Sequence, residues 1–284
     1  MGAMRVVSLV PAATETLFAL GMGSSVVGVT HACDFPEAAL ELPRVTRPLI
    51  PIGLGLDGGR IDEIVSGAAA RSEPIYQIDF DLIRELEPDL IVAQDVCDVC
   101  AVPGDRVERG LPDIAVLRQH PHTLDDVLAT VGELAAAVAA GFAGTLLVDS
   151  IRGRLEAVRE AAADRPRIRG VFLEWLDPPY PAGHWTPDLV EIAGIDDPLA
   201  RSGRPSVALS WQQVTAAAPE LLVLAPCGMA EVEAEQEAAR MRAQIDSTGA
   251  ADVVVLDGSA YFSRPGPRLA ESVERLTAAI SERR

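Results

Sequence analysis

DLIRELEPDLIVAQ, residues 81 to 94, reads as three pieces: a short helix over Asp81–Leu86, a stop at Pro88, and an apolar strand over Leu90–Ala93. A strand with no polar alternation reads as buried. The same order recurs in WQQVTAAAPELLVLAP, residues 211 to 226, where Pro219 stands for Pro88 and Glu220 for Asp89 at an offset of 131. Two copies of one helix–proline–strand unit predict two lobes built alike.

Outward from these units, strand runs alternate with helical patterns. Arg5–Val10 leads into a helix near Thr14–Leu20 closed by Gly21, and Val26–Val29 and Asp113–Leu117 read as further strands. Ile168–Leu173, Leu221–Leu224 and Val253–Leu256 are strands of the second half, with helices over Asp188–Ala193, Ala230–Gln244 and Arg268–Ile280. This alternation is the α/β pattern with parallel sheets. Between them the period changes. Thr123 can cap a helix whose first turn holds Asp125 and Asp126, and Leu124, Val127, Leu128, Val131 and Leu134 recur at helical spacing. Gly141 and Gly144 are expected to break it before a second helix through Leu146, Ile151, Leu155 and Val158. A helix of about 20 residues is about 30 Å long, enough to bridge two lobes. The expected division is an N-terminal lobe over 4–122, a bridging helical segment over 123–165 and a C-terminal lobe over 166–284.

Composition narrows the function. A chain of 284 residues that is 49% hydrophobic can bury its cores without staples. The net charge of -18 argues against a nucleic-acid or anionic-membrane surface, both of which need a basic patch. All 24 basic residues are Arg. With no Lys, Schiff-base chemistry and phosphate-loop nucleotide binding are excluded. No apolar run approaches the length needed to insert in a bilayer. Met1–Ala3 read as an addition ahead of a start at Met4, with no secretory leader before the first strand, so the expected compartment is the cytosol. There thiols stay reduced, and C-x-x-C reads as metal or redox chemistry.

Four cysteines fall just past expected strands: Cys33, the pair Cys97 and Cys100, and Cys227. Ligands of parallel α/β sheets bind outside the carboxyl ends of strands. Four thiols meeting between two lobes would suit zinc or an iron–sulfur cluster, and His31 is a further candidate ligand. EWLDPPYPAGHW, residues 174 to 185, concentrates Glu174, Trp175, Tyr180, His184 and Trp185 in a chain that is only 4% aromatic, as a small-molecule pocket requires. Glu174 and His184 are the candidate acid/base groups. Ser263 and Arg264, expected at the start of the last helix, are candidates for an anionic group. The Gly-rich GLGLDGG, residues 53 to 59, fits no nucleotide-binding pattern and reads as a flexible loop. His120 and His122 need no special role.

Five blocks carry a resemblance: VVSLVPAATETLFALGMGSSVVGVTHACDFP (6 to 36), ELEPDLIVAQ (85 to 94), GVFLEWLDPPYPAG (170 to 183), WQQVTAAAPELLVLA (211 to 225) and YFSRPGPRLAESV (261 to 273). They resemble the cobalamin-binding proteins of cobalamin importers and, more broadly, the helical-backbone metal receptors, the class III substrate-binding proteins. THACDFP, CDVCAV and APCG resemble a leaderless subgroup with cysteines. The resemblance implies two Rossmann-like lobes joined by a long backbone helix, with a metal-containing ligand such as a corrinoid between them and Trp175, Tyr180 and Trp185 at its sides. Three readings follow: a cytosolic binding protein holding a metal centre or corrinoid through its cysteines, a metalloenzyme acting on a small anionic substrate in the same cleft, and an importer receptor working with an ABC permease if exported.

Overall fold

Parallel strands need crossover connections, and the chain supplies a helix for most of them. The computed structural model describes residues 4–50, 55–96 and 104–282. It divides into two compact units, one formed by Met1–Leu56, Glu63–Pro121 and Leu128–Val148, the other by Asp57–Asp62, His122–Val127 and Asp149–Arg284.

The elements up to the middle of the chain are β1 (Val6–Ser8), α1 (Pro11–Ala19), β2 (Val26–Val29), β3 (Thr46–Pro48), α2 (Gly58–Ala70), β4 (Tyr76–Ile78), α3 (Phe80–Glu85), β5 (Leu90–Gln94), α4 (Gly104–Gly110), β6 (Ala115–Gln119), α5 (Leu124–Ala137) and α6 (Gly141–Ala163). The sheet of the first unit has the order β2-β1-β5-β6, parallel throughout. Its apolar strands are buried on both faces. Val6, Leu90 and Val92 pack with Leu17 of α1 and Leu134 of α5, while Val7, Ile91 and Ala93 pack with Ile83 and Val107 on the other side. Leu90–Ala93 lacks polar alternation for this reason. An antiparallel pair, β3 with β4, lies apart from this sheet and had no clear signal in the sequence.

The remaining elements are β7 (Ile168–Leu176), β8 (Pro179–Pro181), α7 (Thr186–Ile192), β9 (Ile195–Asp196), α8 (Trp211–Ala216), β10 (Leu221–Leu224), α9 (Glu231–Arg240), α10 (Arg242–Ser247), β11 (Asp252–Val255) and α11 (Leu269–Ser281). The parallel strands run β9-β7-β10-β11, and β8 folds back antiparallel on the carboxyl half of β7. Counting only the parallel strands, both units therefore have the order second, first, third, fourth. The internal echo extends to the backbone. Glu87 and Ala218, each directly before its proline, both take a left-handed conformation, with φ of 42° and 49°. Asp89 N–H donates to Arg5 O, and Glu220 N–H donates to Arg169 O, each at 2.8 Å.

The α/β class is as expected, but several boundaries differ. The break between α5 and α6 falls at Val138–Ala140, where Ala139 has φ 57°, and not at the glycines. Gly141 opens α6. Gly144 lies within it, and a Cβ there would come 2.3 Å from Ala135 Cβ, so it lets α5 and α6 approach closely. The helix expected over 230–244 is divided at Met241 into α9 and α10. Gly58 and Gly59, expected in a loop, are the first residues of α2.

Candidate functional site

Parallel pairing places the loops of each unit that carry the candidate residues at the carboxyl edge of its sheet. In the first unit, the chain leaving β2 carries His31 and Cys33. Cys33 is 1% exposed, packs among Val10, Leu17 and Val29, and lies 3.1 Å from the Thr14 hydroxyl, which itself contacts Ser8 at 2.9 Å. A thiol is small and weakly polar, which suits it to a place in the core. The Cys33 carbonyl accepts from Arg44, which also donates to Thr30 O. His31 Nδ1 lies 2.7 Å from Thr46 Oγ1, and its ring meets Tyr76 at 5.1 Å. Burial, and then the Arg44 cation, lowers the His31 pKa and favours neutral imidazole. The sequence hides Arg44 and Thr46 because their role depends on the loop folding back over His31.

Cys97 and Cys100 lie outside the described residues. Asp95, just past β5, accepts from Gly104 N–H at 2.7 Å and pairs with Arg118. Cys227 is exposed, in the turn after β10, where its N–H donates to Glu174 O at 2.8 Å. Among the described residues, no three His, Cys, Asp or Glu side chains gather closely enough to hold a metal ion.

The second unit carries the aromatic loop. Glu174 accepts from Ser206 Oγ at 2.7 Å through one oxygen and from Gly183 N–H at 3.1 Å through the other, so its carboxylate pins the 181–206 connection to β7. His184 has φ 51°, and its backbone exchanges hydrogen bonds with Arg204 O and Gly203 N–H. Its ring stacks on His122 with centroids 5.5 Å apart, so His122 has a packing partner that the sequence did not indicate. Trp185 is 7% exposed and donates its indole N–H to Phe262 O at 3.0 Å, which makes it a buried prop for the loop after β11. Trp175 and Tyr180 are half-buried and face each other across the β7–β8 pairing.

Ser263 and Arg264 do not start a helix, since α11 begins at Leu269. Ser263 Oγ donates to Gly258 O at 2.8 Å, and Arg264 is 8% exposed. Asp257 caps the intervening π-type turn through Ala260 N–H. Tyr261, within that turn, lies under two guanidinium groups, Arg275 at 4.3 Å and Arg268 at 5.3 Å.

Two similar α/β units of one strand order, with a 23-residue α6 in the chain between their sheets and loops collected at the carboxyl edges, have the architecture of the class III substrate-binding proteins. The chain belongs to the periplasmic binding protein family, whose sequence profile matches residues 6–251. It is 24% identical over 277 residues to the vitamin B12-binding protein of Vibrio cholerae serotype O1, covering 96% of this chain and 88% of that one. The vitamin B12-binding protein of Yersinia pestis is 23% identical over 289 residues, covering 96% and 85%. Among solved structures, the periplasmic vitamin B12 binding protein BtuF of Vibrio cholerae superposes with a TM-score of 0.70 at 23% identity, covering 99% of this chain and 97% of that one. The periplasmic heme-binding protein RhuT from Roseiflexus sp. RS-1 does so with 0.71 at 21% identity, covering 99% of both. The structural likeness establishes the fold, and the resemblance read from the five sequence blocks agrees with it.

Proposed function

We propose that the chain is a receptor that binds a metal-containing macrocycle, a corrinoid first, reversibly and without turnover. The observation that carries this reading is similarity to vitamin B12-binding proteins over 96% of the chain. The half-buried Trp175 and Tyr180 supply the aromatic surface such a ligand needs. Glu174 supports a binding role over a catalytic one, because both of its oxygens are engaged in holding a loop.

Titration of the purified protein with cyanocobalamin, hydroxocobalamin and hemin, followed by visible absorption and calorimetry, tests the proposal. One equivalent of a corrinoid should bind saturably and be recovered unchanged. Tighter binding of hemin would move the reading to a heme receptor, and no saturable binding of any of the three would end it.

The centre expected on Cys33, Cys97, Cys100 and Cys227 is a separate proposal, tested by metal analysis of protein purified without oxygen. On the receptor reading, the ligand itself brings the metal. The cytosolic compartment is likewise a proposal. Fractionation of cells carrying the natural gene tests it, and recovery with the periplasm would instead favour a receptor serving an ABC permease.

A further inference from the structure

The start of α2 was expected to be a flexible Gly-rich loop, yet Asp57–Asp62 packs as part of the second unit. Gly58 N–H donates to Glu237 Oε1 at 3.2 Å. Glu237 is 1% exposed and pairs with Arg240, whose other nitrogen lies 3.9 Å from Asp57. Asp57 also caps the helix, accepting from Arg60 N–H at 2.7 Å. A Cβ on Gly58 would lie 2.5 Å from Glu237 Oε1 and 3.6 Å from Trp175 Nε1, so only glycine lets the backbone come this near. One turn on, Asp62 accepts from the Tyr180 hydroxyl at 3.2 Å. Burial, and then the Asp62 charge, raises the Tyr180 pKa. Trp175 N–H donates to Asp177 O, and a Cβ on Gly59 would come 2.7 Å from Asp177 Oδ2.

We infer that the first turn of α2, anchored by buried Glu237 and ending at Asp62, is the platform that sets the pose of Trp175 and Tyr180. Glu237 and Asp62 are thus positioning residues for the ligand of this loop. The geometry explains why a carboxylate is buried at a helix start. Its charge is offset by Arg240 and by a backbone N–H that no residue of α2 itself can satisfy. The ligand consequence rests on the proposed receptor function, but the platform does not.

Hydrogen–deuterium exchange and tyrosinate absorption test the platform without ligand. Amides of residues 58–62 should exchange about tenfold faster in Glu237→Ala, the effect of losing one charged hydrogen bond, and Glu237→Gln should recover most of the protection. Asp62→Asn should lower the Tyr180 titration midpoint, with Tyr180→Phe assigning that signal. Exposed Glu235→Gln on the same helix should change neither. Cyanocobalamin affinity should then fall about threefold to tenfold in Asp62→Asn and in Tyr180→Phe. Unchanged exchange in Glu237→Ala, together with an unchanged tyrosine titration in Asp62→Asn, would overturn the platform. A platform that responds as expected while wild type binds no cobalamin would overturn only the receptor reading. A platform that responds with cobalamin affinity unchanged would overturn the positioning role.

Discussion

Asp197 accepts hydrogen bonds from Phe172 N–H at 2.8 Å, Leu199 N–H at 2.9 Å and Ala200 N–H at 3.2 Å. It serves a backbone donor of β7 beyond the short edge strand β9. Burial raises its pKa in spite of these three donors. A raised folded pKa means that the stabilisation is fullest below the unfolded pKa and declines as pH rises through the folded one. Asp197→Ala is therefore expected to cost about 2 kcal/mol in acid solution, below the ordinary aspartate pKa, and less near neutrality, read from denaturant unfolding at several pH values. Little of this residue's role was visible in the sequence, where it is one Asp beside another. Trp185 and Cys33 show the same limit, since the sequence identifies a tryptophan or a thiol near a strand end but not whether it turns inward.

At the scale of elements, α5 offers a prediction of opposite sign. Thr123 Oγ1 accepts from Asp126 N–H at 3.2 Å, and the Asp126 carboxylate accepts from Thr123 N–H at 2.8 Å and His122 N–H at 3.0 Å. Those backbone bonds lower the Asp126 pKa. Its contribution is present above the unfolded pKa and lost as pH falls through the depressed folded one. Asp126→Ala should destabilise the protein by about 1 kcal/mol at neutral pH, and the difference from wild type should vanish in strong acid, as followed by circular dichroism during denaturant unfolding. The Thr123 cap was legible, because Thr ahead of an apolar helical period with Asp in the first turn is a local signal, while the return bonds that Asp126 accepts from the backbone appear only in the structure. The first turn of α2 was not, since two adjacent glycines disfavour a helix and only Glu237, far along the chain, makes one fit.

For the whole molecule, binding and stability are linked. On the proposed receptor function, cyanocobalamin at about a hundredfold over its dissociation constant should stabilise the protein by about 2.7 kcal/mol, seen as a higher melting temperature. Added protection from hydrogen exchange should appear in residues 174–185, the loop that holds Trp175 and Tyr180. A melting curve unmoved by saturating ligand would contradict this.

The α/β class, the doubled helix–proline–strand unit and most strand positions were determined by the sequence alone, because burial on both faces and helical periodicity are written residue by residue. The matched strand orders, the antiparallel β3–β4 pair, the inward turn of Cys33 and Trp185, and the seating of α2 on Glu237 were decided only in the tertiary structure. Each of these depends on groups far apart in the chain meeting, and no local pattern encodes which partner will satisfy a buried polar atom.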